Sequence, residues 1–194
     1  MTGRWPLIGV LLAISLVDGG CAPVLVGGAA TTASVAHDRR TTGSVIEDQA
    51  IEMRISSALS GDAAIDDQTH INVTSYDAIV LLSGEAPDDA LRERAGQIAR
   101  DDEKARRVHN EIRIAAPSAM MTRMSDGWTT TKVKSSLFGV KLEGFDPTRV
   151  KVVTENGTVF LMGLLTEQEG SAVTEQARQV SGVQRIVKLF EYPD

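Results

Sequence analysis

The chain has 194 residues, with 20 lysines and arginines against 26 aspartates and glutamates. The formal charge of −6 argues against a nucleic-acid partner, because such a surface repels phosphates, and a single cysteine excludes an internal disulfide. Apolar residues make up 42%, enough for two small cores.

Residues 1–21 have the form of an export signal. Arg4 supplies a short positive start, a mostly apolar run follows from Leu7 to Val17, and small residues precede Cys21. That run reaches only about half of the ~20 residues a spanning helix needs, so it reads as a cleaved leader rather than a membrane span. Gly19 and Gly20 before Cys21 suggest a bacterial lipoprotein signal, in which the thiol is acylated. Asp18 stands where the lipobox usually has leucine, so an ordinary secretory leader with an incidental thiol is the alternative. If Cys21 is lipidated, Ala22 after it favours the outer membrane over the inner. Residues 22–46, with Gly27-Gly28 and Thr41-Thr42-Gly43, show no sustained period and read as a flexible tether.

A first repeat, residues 47–115, opens with a helix of about Asp48 to Ser60 whose Ile51, Ile55, Ala58 and Leu59 share one side. Ile71 to Gly84 reads as two strands around a turn at Asp77-Ala78. Pro87-Asp88-Asp89 then starts a second helix with Leu91, Ala95, Ile98 and Ala99 as its buried stripe, and Val108, Ile112 and Ile114 alternate with polar residues in a closing strand. Residues 116–124, with Pro117 and Met120, Met121 and Met124, read as a linker.

The second repeat, residues 125–194, starts with Ser125-Asp126 as a helix cap and a helix from Trp128 to Phe138. Val150 to Gly163 states a hairpin in full: Val150 and Val152 alternate with Lys151, and Asn156-Gly157 can take the positive φ of a type I′ turn. Ile71, Val73 and Gly84 recur as Val150, Val152 and Gly163 at a shift of 79, while the flanking helices match at 78. One unit of helix, strand, strand, helix, strand has been used twice. Charge is unevenly divided: residues 47–115 hold 8 basic and 15 acidic side chains, and residues 125–194 hold 8 and 9.

Catalytic chemistry finds little support. His37, His70 and His109 have no motif around them, no His or Cys cluster has metal-ligand spacing, and the glycines punctuate hairpins rather than cradle phosphates. The acidic triplet Asp101-Asp102-Glu103 reads as a solvated helix end. No cofactor is expected. The least ordinary feature is the helix after the linker. Val133, Leu137 and Val140 point one way, while Trp128, Lys132, Ser135 and Phe138 fall within about 120° on the other side. Tryptophan and phenylalanine beside lysine suit an anionic membrane interface. A tryptophan packed between the two domains is the competing explanation.

The duplicated unit, together with Leu82-Ser83-Gly84, Leu161-Met162-Gly163, Trp128-Thr-Thr-Thr-Lys-Val133 and Val180-Ser-Gly-Val183, resembles the BON domain of exported bacterial proteins. The resemblance implies an α+β fold of two tandem α-β-β-α-β domains, each with helices on one face of a three-stranded sheet. It also implies a non-enzymatic lipoprotein on the periplasmic face of the outer membrane. Such a protein binds anionic phospholipid through the first helix of its second domain and supports envelope integrity, often at division sites. The corresponding residues are Trp128, Thr131, Lys132, Lys134, Ser135 and Phe138. A scaffold for outer-membrane assembly machinery or cell-wall enzymes, docking on the acidic first repeat, is the alternative.

Overall fold

The computed structural model describes residues 40–193. Cys21, the leader and most of the expected tether lie outside the described residues. In chain order the elements are α1 (Thr42–Ser60), α2 (Ala63–Gln68), β1 (His70–Tyr76), β2 (Ile79–Ala86), α3 (Asp89–Arg100), β3 (Arg107–Asn110), β4 (Arg113–Ile114), α4 (Met120–Leu137), β5 (Lys151–Glu155), β6 (Thr158–Leu164), α5 (Glu167–Arg178) and β7 (Arg185–Glu191).

Each domain builds its sheet by the same logic. A two-residue turn leaves β1 and β2, and likewise β5 and β6, no choice but antiparallel pairing. A helical crossover then returns the chain parallel to the middle strand, β3 and β4 beside β2 and β7 beside β6. Both turns use left-handed backbone at two successive residues: Asn156 and Gly157 have φ of 48° and 70°, and Asp77 and Ala78 adopt 51° and 61° without a glycine.

What holds Asp77 and Ala78 in that costly conformation is a buried carboxylate. Asp48 on α1 accepts from both their backbone N–H groups at 2.8 Å and from the Ser75 hydroxyl at 2.6 Å. Asp126 does the same on α4, accepting from the N–H of Asn156 at 2.8 Å and of Gly157 at 3.0 Å. The two aspartates are 78 positions apart, the shift of the helical repeats, so each opening helix is pinned to its own hairpin turn.

That pairing corrects the expected helix starts. Asp126 lies inside α4 rather than capping it, and the helix runs back to Met120, so the end of the expected linker is helical. In the first domain Thr41 caps α1 through its side chain, and five residues assigned to the tether, 42–46, are helix. Arg40 is drawn onto the domain as well, with its guanidinium 2.7 Å from Asp48 and over the Tyr76 ring. Pro87 stands just before the cap rather than in the first turn, because Asp88 is the residue whose side chain accepts from Leu91 N–H.

The first core joins Ile51, Ile55 and Leu59 of α1 to Val80 and Leu82 of β2 and to Leu91, Ala95 and Ala99 of α3. The second joins Val133 and Leu137 to Val159, Leu161, Val173 and Ala177. Helices therefore cover one face of each sheet, as expected. The other face is not solvated. Tyr76, Ile79 and Leu81 pack on Phe160, Met162 and Leu189, so the two sheets meet face to face with helices outside. All eight residues of β2 are buried as a result. The unbroken apolar runs Ile79–Leu82 and Val159–Met162 were the signal of strands covered on both sides.

Polar contacts ring this junction. Lys151 donates to Glu52 at 2.7 Å and to the Ser75 carbonyl at 3.1 Å, and the Tyr76 hydroxyl donates to the Arg149 carbonyl at 3.0 Å. At the rim Arg106 of the first domain pairs with Glu191 of the second at 2.6 Å, and Arg185 of the second pairs with Glu111 of the first at 3.3 Å.

Candidate functional site

The inward positions of helix α4 are fixed by packing and by one carboxylate. Asp126, Thr129, Val133 and Leu137 are buried against the sheet. Opposite them Trp128 is 69% exposed and Phe138, at the C-cap, 75% exposed. Trp128 is thus no plug between the domains. Thr131, Lys132, Lys134 and Ser135 are exposed on the same side, so the structure brings all six expected residues onto one outward surface.

Their chemistry differs in detail from the expectation. Lys132 lies back along the protein, its ammonium donating to the carbonyl and the hydroxyl of Ser181 in the loop after α5. Its charge remains at the surface but is tethered there. The Thr131 hydroxyl donates to the Gly127 carbonyl at 3.0 Å. Lys134 flanks the aromatic stripe on the edge away from Lys132, and Lys141 follows the helix. The one acid in α4, Asp126, faces inward, so the helix surface is basic on a chain whose net charge is −6.

Below the start of α4 is a buried acidic junction that the sequence analysis missed. Glu155 accepts from the Asn72 amide at 2.5 Å across the domain boundary, and Glu85 accepts from the Asn156 amide in the opposite sense and from Ser118 N–H at 3.3 Å. Burial first, and then the neighbouring charges of Glu85 and Asp126, push the Glu155 carboxyl above the usual range, against the Asn72 hydrogen bond and Arg123. Glu155 directly precedes the Asn156-Gly157 turn, but nothing in one repeat alone says that the other domain covers it.

The histidines are scattered. His37 lies outside the described residues, His70 begins β1, and His109 sits in β3, where burial and the nearby Arg107 depress its pKa. Among the described residues no group of three or more His, Cys, Asp or Glu is placed to hold a metal, and no helix is long and apolar enough to cross a membrane. Asp102, expected as part of a solvated helix end, instead binds Arg54 of α1 at 2.7 Å, and that hydrogen bond holds its carboxyl below the usual range. A cleft of about 210 Å³ in the first domain, lined by Leu59, Ile65, Asp66, Thr69 and His70, lies apart from the α4 face.

Two α-β-β-α-β units packed sheet to sheet, with an aromatic and basic helix face turned outward, define a tandem module of a known kind. The chain belongs to the BON domain family, whose model matches residues 47–116 and again 125–194. It is similar to outer membrane lipoprotein DolP of Haemophilus influenzae, 35% identical over 188 residues and 96% of each chain. It is also 37% identical over 155 residues to the 21 kDa hemolysin of Actinobacillus pleuropneumoniae, covering 80% of this chain and 79% of that one. Osmotically-inducible protein Y of Escherichia coli is 29% identical over 148 residues, covering 74% and 72%. The lipid-anchored, outer-membrane location expected from the leader agrees with the first of these relatives.

Proposed function

We propose that this protein is a non-enzymatic envelope module that docks on anionic phospholipid at the periplasmic face of the outer membrane through α4, and that it supports the integrity of that membrane, including at division sites. The observation that carries the reading is the outward display of Trp128 and Phe138 on a helix whose single acid is turned inward. An indole places its apolar body among acyl chains while its N–H stays hydrated, and a phenyl ring adds buried area. Each lysine close to an anionic surface contributes about 1 kcal/mol. Such contacts are weak and reversible alone. A lipid anchor on the same chain would make them effective by raising the local concentration of the domain.

Vesicle co-sedimentation tests this directly. With one quarter phosphatidylglycerol in phosphatidylethanolamine, Trp128→Glu should weaken binding by about tenfold or more, since full burial of a large apolar side chain is worth about 1.5–3 kcal/mol. Unchanged binding by a folded Trp128→Glu protein would refute the reading. Retained protein crosslinks in cells with lost envelope localisation would set it apart from a scaffold that docks on the acidic first domain.

A further inference from the structure

Helix α4 begins two turns before the aromatic residues, and those two turns are unusual in what they expose. Met120, Met121 and Met124 are 70%, 75% and 57% exposed. At about 100° per residue, all three fall with Trp128, Thr131, Ser135 and Phe138 in one arc of about 100°. Three long thioether side chains on a solvated helix face form a contiguous apolar patch that a folded protein ordinarily covers. We infer that Met120, Met121 and Met124 are part of the lipid-docking face, so that α4 lies along the membrane surface over its whole length and the methionines enter the acyl-chain boundary beside Trp128.

The inference rests on the lipid reading above and extends it to residues with no assigned role. Charge selects the occupant. Lys132 and Lys134 border the stripe on opposite edges, and Asp126 is withdrawn to the hairpin turn. An apolar strip bordered by cations fits an anionic bilayer better than it fits an acid-poor protein groove. The side chains also suit the task. Methionine is unbranched and flexible, so it can fill the irregular gaps between acyl chains without a matching socket. Eighteen residues of helix at 1.5 Å each give a contact strip of about 27 Å, where Trp128 to Phe138 alone would give about 15 Å.

The test uses the exported chain labelled with ¹³C at its methionine methyls, in bicelles of phosphatidylcholine with one quarter phosphatidylglycerol and a nitroxide-labelled lipid. The methyls of Met120, Met121 and Met124 should broaden together with the Trp128 indole. Met53, which is 70% exposed on the first domain, and the buried Met162 serve as internal controls and should keep their signals. Broadening of Trp128 with the three methionines behaving like Met53 would overturn the extension and leave the lipid reading standing. Loss of broadening at Trp128 as well would overturn both. Concentration-dependent shifts of the three methyls without lipid would assign the strip to a second copy of the chain and overturn the inference. A folded Met120→Gln, Met121→Gln, Met124→Gln triple variant should bind the same lipids at least fivefold more weakly, with its Trp128 indole still broadened; undiminished binding would equally overturn it.

Discussion

Helices α1 and α4 are the same element used twice, and their outward surfaces differ in charge and in aromatic content. Their inward faces correspond: Asp48 and Asp126 grip a hairpin turn, Ile55 and Val133 fill the core, and Leu59 and Leu137 close it. Outward, Trp128 has Ala50 as its counterpart at the helical shift of 78, and Phe138 has Ser60. The cation of α1 that corresponds to Lys132, Arg54, is taken up by Asp102 at 2.7 Å and Glu47 at 3.2 Å. Duplication preserved what the fold requires and left the solvent side free to diverge. The first domain is the more acidic and exposes Ile46 and Met53 on α1, while the second carries the basic, aromatic helix.

The sharpest way to test that equivalence is to remove the two aspartates. Asp48→Ala should cost about 3 kcal/mol or more and Asp126→Ala about 2 kcal/mol, since charged buried hydrogen bonds are worth about 1.5–3 kcal/mol and unpaired groups add to the loss. Asp48 comes out larger for two reasons: it also holds the Ser75 hydroxyl, and its turn has no glycine to relieve the strain. Urea unfolding of the two variants measures the difference, and equal losses would mean that the turns are not held as the geometry indicates.

A smaller effect bears on the surface contrast. Lys134→Ala should weaken phosphatidylglycerol binding about fivefold at low salt and less at high salt, because the ammonium acts through a screened field. Arg54→Ala on α1 should leave vesicle binding unchanged, its charge being already met by Asp102 and Glu47. If both substitutions act alike, the docking charge is spread over the molecule rather than set by α4.

The smallest expected effect lies at the junction between the domains. Glu155 has a raised pKa in the folded protein, so its contribution to stability is full at acid pH and is lost as the pH rises through that raised value. Asp102 runs the other way, since its lowered pKa gives stability above the ordinary carboxylate range that is lost as the pH falls through the folded value. Glu155→Gln keeps an acceptor for Asn72 and removes the charge, so thermal unfolding at pH 7 should move up by about 2 °C, with no gain at pH 4. A variant whose gain is the same at both pH values would exclude ionisation of Glu155 as the cause.

Much of this protein was legible in one dimension because local physics and a repeat speak clearly. Val150–Gly163 announced a hairpin through alternation and Asn-Gly, and its weaker copy at Ile71–Gly84 could be trusted because the same pattern recurred. Trp128, Lys134 and Phe138 were legible as a surface because α4 turns at 3.6 residues and Val133 and Leu137 had to face inward. Both opening helices start upstream of their sequence signals, and the reason at α4 is specific. Ser125-Asp126 looks like a cap, but a buried turn with two unpaired N–H groups claims Asp126, and only the fold brings that turn within reach. Met120, Met121 and Met124 read as linker in the sequence, since no periodic apolar residue precedes Val133 to reveal the extra turns. A careful eye could have found Asp48 and Asp126 from their spacing of 78 alone.

The sequence by itself settled that a small α+β unit occurs twice and which side of each helix is apolar, because strand alternation, helical periodicity and turn chemistry are properties of neighbouring residues. The tertiary structure decided what lies on the far side of each sheet. Ile79, Leu81, Phe160 and Met162 could have faced a partner, a ligand or each other, and they face each other because that is how two exposed apolar sheet faces in one chain leave water. The same closure buries Glu155 between domains, and it leaves α4 on the outside of the molecule, where its stripe from Met120 to Phe138 meets whatever surrounds the protein.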